Sequence, residues 1–187
     1  QKAIKERKFV ESHMKKALDN NEFIIYLQPK FSISSGEAIG YEALVRWQSP
    51  ERGMIYPNGF IPLFEENGFI TKLDAYVWEC ACMVLRDWID RHFTPLPISV
   101  NVSRANLDDE SFLDVLDGLI DKYRLPKHLL ELEITESIEN DATLRMTEKI
   151  KEHGFVLLMD DFGSGYSSLN TLQDTCLLYT SDAADDL

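Results

Sequence analysis

No run in the 187 residues is long and apolar enough to cross a bilayer as a helix. Basic charge is also scarce: 19 Lys and Arg face 32 Asp and Glu, a net charge of −13. That deficit argues against general binding of DNA or RNA, which needs a basic footprint. An anionic ligand would need bound cations or a local arginine to offset the field. The three cysteines, Cys80, Cys82 and Cys176, lack metal-finger spacing. Cys80 and Cys82 lie two apart in a helical pattern and face different ways. They read as reduced cytoplasmic thiols in or near a core, with a redox pair the lesser alternative. His13, His92, His128 and His153 fall in helices or at their edges, which argues against a zinc site. No strand is followed by a dinucleotide glycine fingerprint or a Walker lysine. The N-terminus, QKAIKERKF, carries neither an initiating methionine nor a signal peptide, and reads as cut from a longer chain.

What is present is the alternation of an α/β protein. Residues 3–20 form a mixed-charge amphipathic helix, read either as packing on its own domain or as a linker from an upstream one. FIIYLQPKF and AIGYEALVRW read as strands joined by a Ser34-Ser35-Gly36 turn. A short helix is expected through GFIPLFEEN, closed by Asn67-Gly68, and a long one through TKLDAYVWECACMVLRDWIDRH. From Pro95 onward the order is strand, helix, strand, helix, strand: PLPISVNVS, DDESFLDVLDGLIDKY, LLELEITES, DATLRMTEKIKEH and FVLLMDD. That spacing predicts a parallel sheet with helices outside. Pattern alone leaves an open doubly wound sheet and a barrel both open.

Acidic groups and amides fall where these strands end. Asn101 closes one, Glu133 and Glu136 lie near the end of the next, and Asp160 and Asp161 end the third. Barrel active sites lie at that carboxyl-terminal rim, and hard divalent cations such as Mg²⁺ or Mn²⁺ take oxygen ligands of this kind. A cation would also relieve the repulsion between the adjacent Asp160 and Asp161. Each residue alone is equally a turn or cap former; the set on successive strands favours metal binding. Glu131 shares a face with Glu133, so spacing does not say which is the ligand. Glu42, Leu44 and Arg46 also share a strand face. Glu42 and Arg46 can hold a metal and a phosphate side by side, or form an intrastrand ion pair.

With YLQPKF, YEALVRW, FIPLFEENGFI, SVNVS, LELEITES and DDFGSGYSSL in this order, the chain resembles the EAL domain family of cyclic di-GMP phosphodiesterases across roughly residues 23–174. The resemblance implies a modified TIM barrel with one antiparallel strand, the first, and a two-metal site using Mg²⁺ or Mn²⁺. By match to the family motifs it implies Glu42, Asn101, Glu133 and Asp160 as metal ligands and Asp161 as the aspartate of the second metal. It gives Glu42, Asp160 and Asp161 catalytic roles and Arg46 a substrate phosphate. Gln28 and Leu44 would line the nucleotide, and Glu136 would steady the loop 162–169. The implied reaction opens one phosphodiester bond of cyclic di-GMP to give linear pGpG. The resemblance further implies a cytoplasmic location, or a cytoplasmic domain of a membrane-anchored parent. It implies a homodimer and an upstream GGDEF or sensory domain, with a non-catalytic cyclic di-GMP receptor or scaffold as the alternative.

After SSLNTLQD the chain departs from the family. It reads TCLLYTSDAADDL where a strand ending in Lys-Ile-Asp is expected, so the water-positioning lysine and a later glutamate have no counterpart. The organisation expected is a helix or linker at 1–20, a partial EAL domain at 21–174 with the barrel's last strands missing, and a non-family tail at 175–187. That tail reads as a frameshift or read-through product, or as a short acidic tail. Hydrolysis by this chain is accordingly expected to be weak or absent.

Overall fold

The computed structural model describes residues 2–135, 141–160 and 177–179. Helix α1 (Lys2–Asp19) precedes a hairpin of β1 (Phe23–Phe31) and β2 (Ala38–Ser49), extended by a short β3 (Gly53–Ile55). Helices α2 (Ile61–Asn67) and α3 (Ile70–Asp90) follow, then β4 (Ile98–Asn101) and the pair α4 (Arg104–Leu107) and α5 (Ser111–Tyr123). Strand β5 (Leu130–Thr135), helix α6 (Asp141–Glu152), β6 (Val156–Asp160) and β7 (Leu177–Tyr179) complete the described elements. The seven strands form one mixed sheet in the order β6-β5-β4-β2-β1-β7, with β3 paired to β2.

Strands β2, β4, β5 and β6 are mutually parallel, and β1 runs antiparallel to β2. This is the arrangement expected of a modified TIM barrel whose first strand is reversed. Its cause is local: the short Ser34-Ser35-Gly36 turn can join only antiparallel neighbours, whereas the later strands are separated by helices long enough to cross over. Gly36, in that turn, takes φ +70, where a side chain would be strained.

The apolar residues sort by period. Phe23, Ile25 and Leu27 of β1 and Ala43 and Trp47 of β2 are buried on the outer face, beneath α1, α2 and α3. Phe9, Phe23, Trp47, Phe60 and Phe64 interlock there with ring centroids 5.2–6.1 Å apart. Helix α1 thus packs on the sheet, burying Phe9, Val10 and Ala17. On the long helix α3, Leu73, Val77, Trp78, Ala81 and Leu85 form the buried stripe that its 3.6 periodicity requires.

Boundaries differ from the sequence reading where side chains compete for the backbone. The helix expected from Asp108 begins at Ser111, because Asp109 turns its carboxylate back onto the Ser111 amide at 3.0 Å. Pro57–Gly59 is a separate 3-10 turn before α2. Burial pushes the Cys80 thiol up to about 11 and the Cys82 thiol up to about 12, so both are inert packing groups at neutral pH. Cys176 lies outside the described residues.

Candidate functional site

The other face of the sheet carries the chemistry. On β1 and β2 the residues between the buried ones, Tyr26, Gln28 and Lys30 with Glu42, Leu44 and Arg46, turn to the concave side, away from the helices. Ladder register carries this face across the sheet. Gln28 is opposite Glu42, Glu42 is level with Ser99, Asn101 with Glu133, and Glu133 with Leu158. Because side chains alternate with period two, Asn101 shares the face of Ser99, and Asp160 takes the same parity as Leu158. Gln28, Glu42, Asn101 and Glu133 therefore occupy one face of four adjacent strands. They step towards the carboxyl ends as the strands stagger.

Contacts agree with the register. The Asn101 amide nitrogen lies 3.5 Å from a Glu42 carboxylate oxygen. Exchanging the amide's nitrogen and oxygen by a flip would turn its carbonyl towards the same point. Glu42, Asn101 and Glu133 then offer hard oxygen donors from three consecutive strands, a set that suits Mg²⁺ or Mn²⁺ better than a thiol- or imidazole-seeking metal. Among the described residues no three His, Cys, Asp or Glu side chains already converge on one point. Asp161 and Glu136 lie outside the described residues, and Asp160 is placed only as the last residue of β6.

Arg46 stands four residues along β2 from Glu42. Its guanidinium carbon lies 5.5 Å from the ring centroids of both Tyr26 and Tyr56, and one nitrogen donates to the Val45 carbonyl at 2.8 Å. It forms no ion pair with any described carboxylate, which answers the alternative of an intrastrand pair with Glu42. A cation held between two π faces keeps its charge and most of its donors for an incoming anion. The aromatic flank was missed by spacing arguments, because Tyr56 arrives from the far end of β3.

Level with Glu42 the face is occupied differently, by groups that Lys30 reaches from one rung below. Lys30 donates to the Ser99 hydroxyl and to the Glu131 carboxylate, both at 3.1 Å. Behind the sheet, the buried Asp74 of α3 accepts from the Ser103 amide at 2.9 Å and the Asn106 side chain at 2.7 Å. Trp78 donates its indole N–H to the Asn101 carbonyl at 3.0 Å. One helix thus fixes the segment that follows β4.

A mixed sheet with its first strand reversed, and oxygen donors on successive carboxyl-terminal strand ends, defines a TIM-barrel-like α/β protein with an acidic rim. Comparison with known proteins makes the class specific: residues 11–176 match the EAL domain model, and the chain belongs to the EAL domain family. An uncharacterized protein of Mycobacterium tuberculosis is 37% identical over 171 residues, 89% of this chain and 55% of that protein. The bifunctional diguanylate cyclase/cyclic di-GMP phosphodiesterase MucR of Pseudomonas aeruginosa is 36% identical over 160 residues, 83% of this chain and 23% of its own length. The chain thus spans about half, or less, of the curated relatives it matches. Among solved structures, the PaMucR phosphodiesterase in complex with c-di-GMP superimposes with a TM-score of 0.77 at 32% identity, covering 84% of this chain and 65% of that one.

Proposed function

We propose that this chain carries the metal- and substrate-binding half of a cyclic di-GMP phosphodiesterase site. The observation that carries the reading is the single face shared by Gln28, Glu42, Asn101 and Glu133, with Arg46 beside it and unpaired to any described carboxylate, and with β6 ending at Asp160 on the next strand. Glu42, Asn101, Glu133 and Asp160 would hold Mg²⁺ or Mn²⁺, with Asp161 serving a second ion. Such ions neutralise the phosphodiester's charge, acidify water and stabilise the leaving alkoxide. Glu42, Asp160 and Asp161 are the catalytic carboxylates in this reading.

The chain's own residues orient the substrate. Arg46 offers a planar fork to a phosphate oxygen pair, held in place by Tyr26 and Tyr56. Gln28 and Leu44 line the nucleotide, and Glu136 steadies the loop that follows Asp161. Water then opens one phosphodiester bond of cyclic di-GMP to give pGpG. The names of MucR and of the c-di-GMP-bound PaMucR support this substrate.

Hydrolysis is the first reading for the family site, and a non-catalytic cyclic di-GMP receptor or scaffold is the alternative. We further assign residues 21–174 to the EAL unit, with α1 packed on it and leading from an upstream GGDEF or sensory domain, and with β7 added to its sheet. The parent is placed in the cytoplasm, or on its cytoplasmic side if membrane-anchored, as a homodimer. No helix among the described residues is long and apolar enough to cross a membrane.

The test is calorimetric titration of cyclic di-GMP with and without Mg²⁺ or Mn²⁺, with pGpG followed by chromatography. Metal-dependent binding that Glu42→Gln abolishes is the expected result. Equal binding with chelator and with metal would overturn the assignment.

A further inference from the structure

Lys30 and Glu131 are 101 residues apart in sequence, and in the sheet the strands β2 and β4 lie between them. In a flat sheet three strand spacings would separate them by about 14 Å, too far for a lysine side chain to bridge. Here Nζ reaches the carboxylate at 3.1 Å. The ion pair therefore crosses the concavity of a curled sheet. Gly40, opposite Lys30 on β2, opens the route: a Cβ there would come within 3.4 Å of the Lys30 Cε. Ser99, on the strand between, accepts from the same ammonium. Both side chains are mostly buried, at 29% and 17% exposure, so the pair is screened less than a surface pair.

Through Ser99 the Glu131 carboxylate is level with Glu42, one rung before Asn101 and Glu133. Ser99 and Glu131 are level with each other, and two residues further along each strand come Asn101 and Glu133, also level with each other. Glu131 and Glu133 are thus chemically identical ligands on one face, about 7 Å apart along the strand. A divalent cation choosing between them would find the lower one already held by an ammonium.

From this we propose that Lys30 is a positioning residue, a resident counter-cation that withdraws Glu131 from the ligand set and leaves Glu133 as the metal's carboxylate. The inference rests on the metal-binding reading above and deepens it. It assigns a role to a residue outside the proposed ligands, and it makes the net charge beneath the rim part of what sets cation affinity.

The experiment is Mn²⁺ titration of the 187-residue chain by calorimetry, alongside thermal melts without metal. Lys30→Met removes a positive charge near the rim and frees Glu131, so Mn²⁺ should bind about tenfold more tightly. Lys30→Arg should retain wild-type affinity. The discriminating variant is Lys30→Met with Glu131→Gln, which keeps the net charge and should bind Mn²⁺ within about twofold of wild type. If that double variant binds tenfold more weakly, Glu131 is itself a ligand and the proposal fails. It also fails if Lys30→Met leaves the affinity unchanged.

The metal-free melts separate this outcome from failure of the metal reading. Lys30→Met should lower the melting temperature, and adding Glu131→Gln should restore part of it; strictly additive losses would show that the pair does not couple, and would overturn the proposal. Should Lys30→Met alone not fold, the double variant carries both readouts. A wild-type chain that binds no Mn²⁺, or a Glu133→Gln chain that binds it normally, overturns the metal reading and with it the positioning role, while a coupled melt would still leave the pair as a structural strut.

Discussion

The indole N–H of Trp78 is bonded to the main-chain carbonyl of Asn101 at 3.0 Å, joining the core of α3 to the proposed ligand at the end of β4. Trp78 is 1% exposed, so its donor has no water to turn to. Trp78→Phe keeps the aromatic body and removes the donor. Losing a hydrogen bond of this kind costs about 0.5–1.5 kcal/mol, visible as a lower melting temperature. If the bond also sets Asn101, Mn²⁺ affinity should fall several-fold more than in Leu119→Ala, a cavity variant on α5 remote from the rim. Equal affinity in the two variants would reduce Trp78 to a packing role.

Asp74 makes stability depend on pH in an identifiable direction. Burial pushes its carboxyl up to about 6 from 3.8, against the opposing pull of its hydrogen bonds with Ser103 and Asn106. A folded pKa above the unfolded one means that the folded state holds the extra proton. Stability from this group is therefore greatest below about pH 4 and declines as pH rises through about 6, by roughly 3 kcal/mol in all. Both donors meet the same carboxylate oxygen, so the single carbonyl oxygen of Asn can accept both. Asp74→Asn should flatten the melting profile between pH 4 and 6 and equal or exceed wild type at pH 8. A uniform loss of stability at both ends of that range would show that the ionised carboxylate is required.

How much of this was legible in the sequence follows from the kind of interaction involved. Period-two alternation in FIIYLQPKF and AIGYEALVRW placed Gln28, Glu42, Leu44 and Arg46 on one face, because strand geometry is local. Asn67-Gly68 stopped α2 as expected, and Gly154 follows α6 in the same left-handed conformation, since a left-handed glycine is a local device. The distinction between Glu131 and Glu133 was not legible, because it depends on Lys30, whose reach to β5 exists only once the sheet curls. The hold of Asp74 and Trp78 on the segment after β4 was hidden for the same reason: α3 precedes that segment by over ten residues, and no spacing rule connects them. Short α4 escaped because four residues carry no period.

Arg46 is predicted to act through geometry as well as charge. Arg46→Lys keeps the charge but loses the planar fork and the stacking on Tyr26 and Tyr56. Charge-assisted bonds of this kind contribute about 1.5–3 kcal/mol, so cyclic di-GMP affinity should fall roughly 10- to 100-fold. The melting temperature should barely move, since Arg46 forms no ion pair with a described carboxylate. Lysine binding as well as arginine would mean that only the charge matters. A comparable fall in Tyr56→Ala, with Arg46 intact, would extend the role to the aromatic flank.

Gly40 should be the most demanding position on β2, for steric reasons that no turn or positive φ explains. A Cβ there would lie 2.9 Å from the Pro97 carbonyl oxygen, a main-chain atom that cannot rotate aside. That same carbonyl accepts the Tyr41 amide at 2.8 Å, so moving it stretches the junction of β2 and β4. Gly40→Ala forces either the two strands apart or the bond longer, and overpacking of this kind costs about 1–3 kcal/mol. The separation would be felt at the next rung, where Glu42 is level with Ser99, so Mn²⁺ affinity should fall together with the melting temperature. The two losses should be separable: a second-site change that restores stability at Phe9 or Trp47, on the opposite face, should leave the affinity loss in place. Recovery of both by such a change would show that Gly40 acts through global stability and not through the local spacing of the strands.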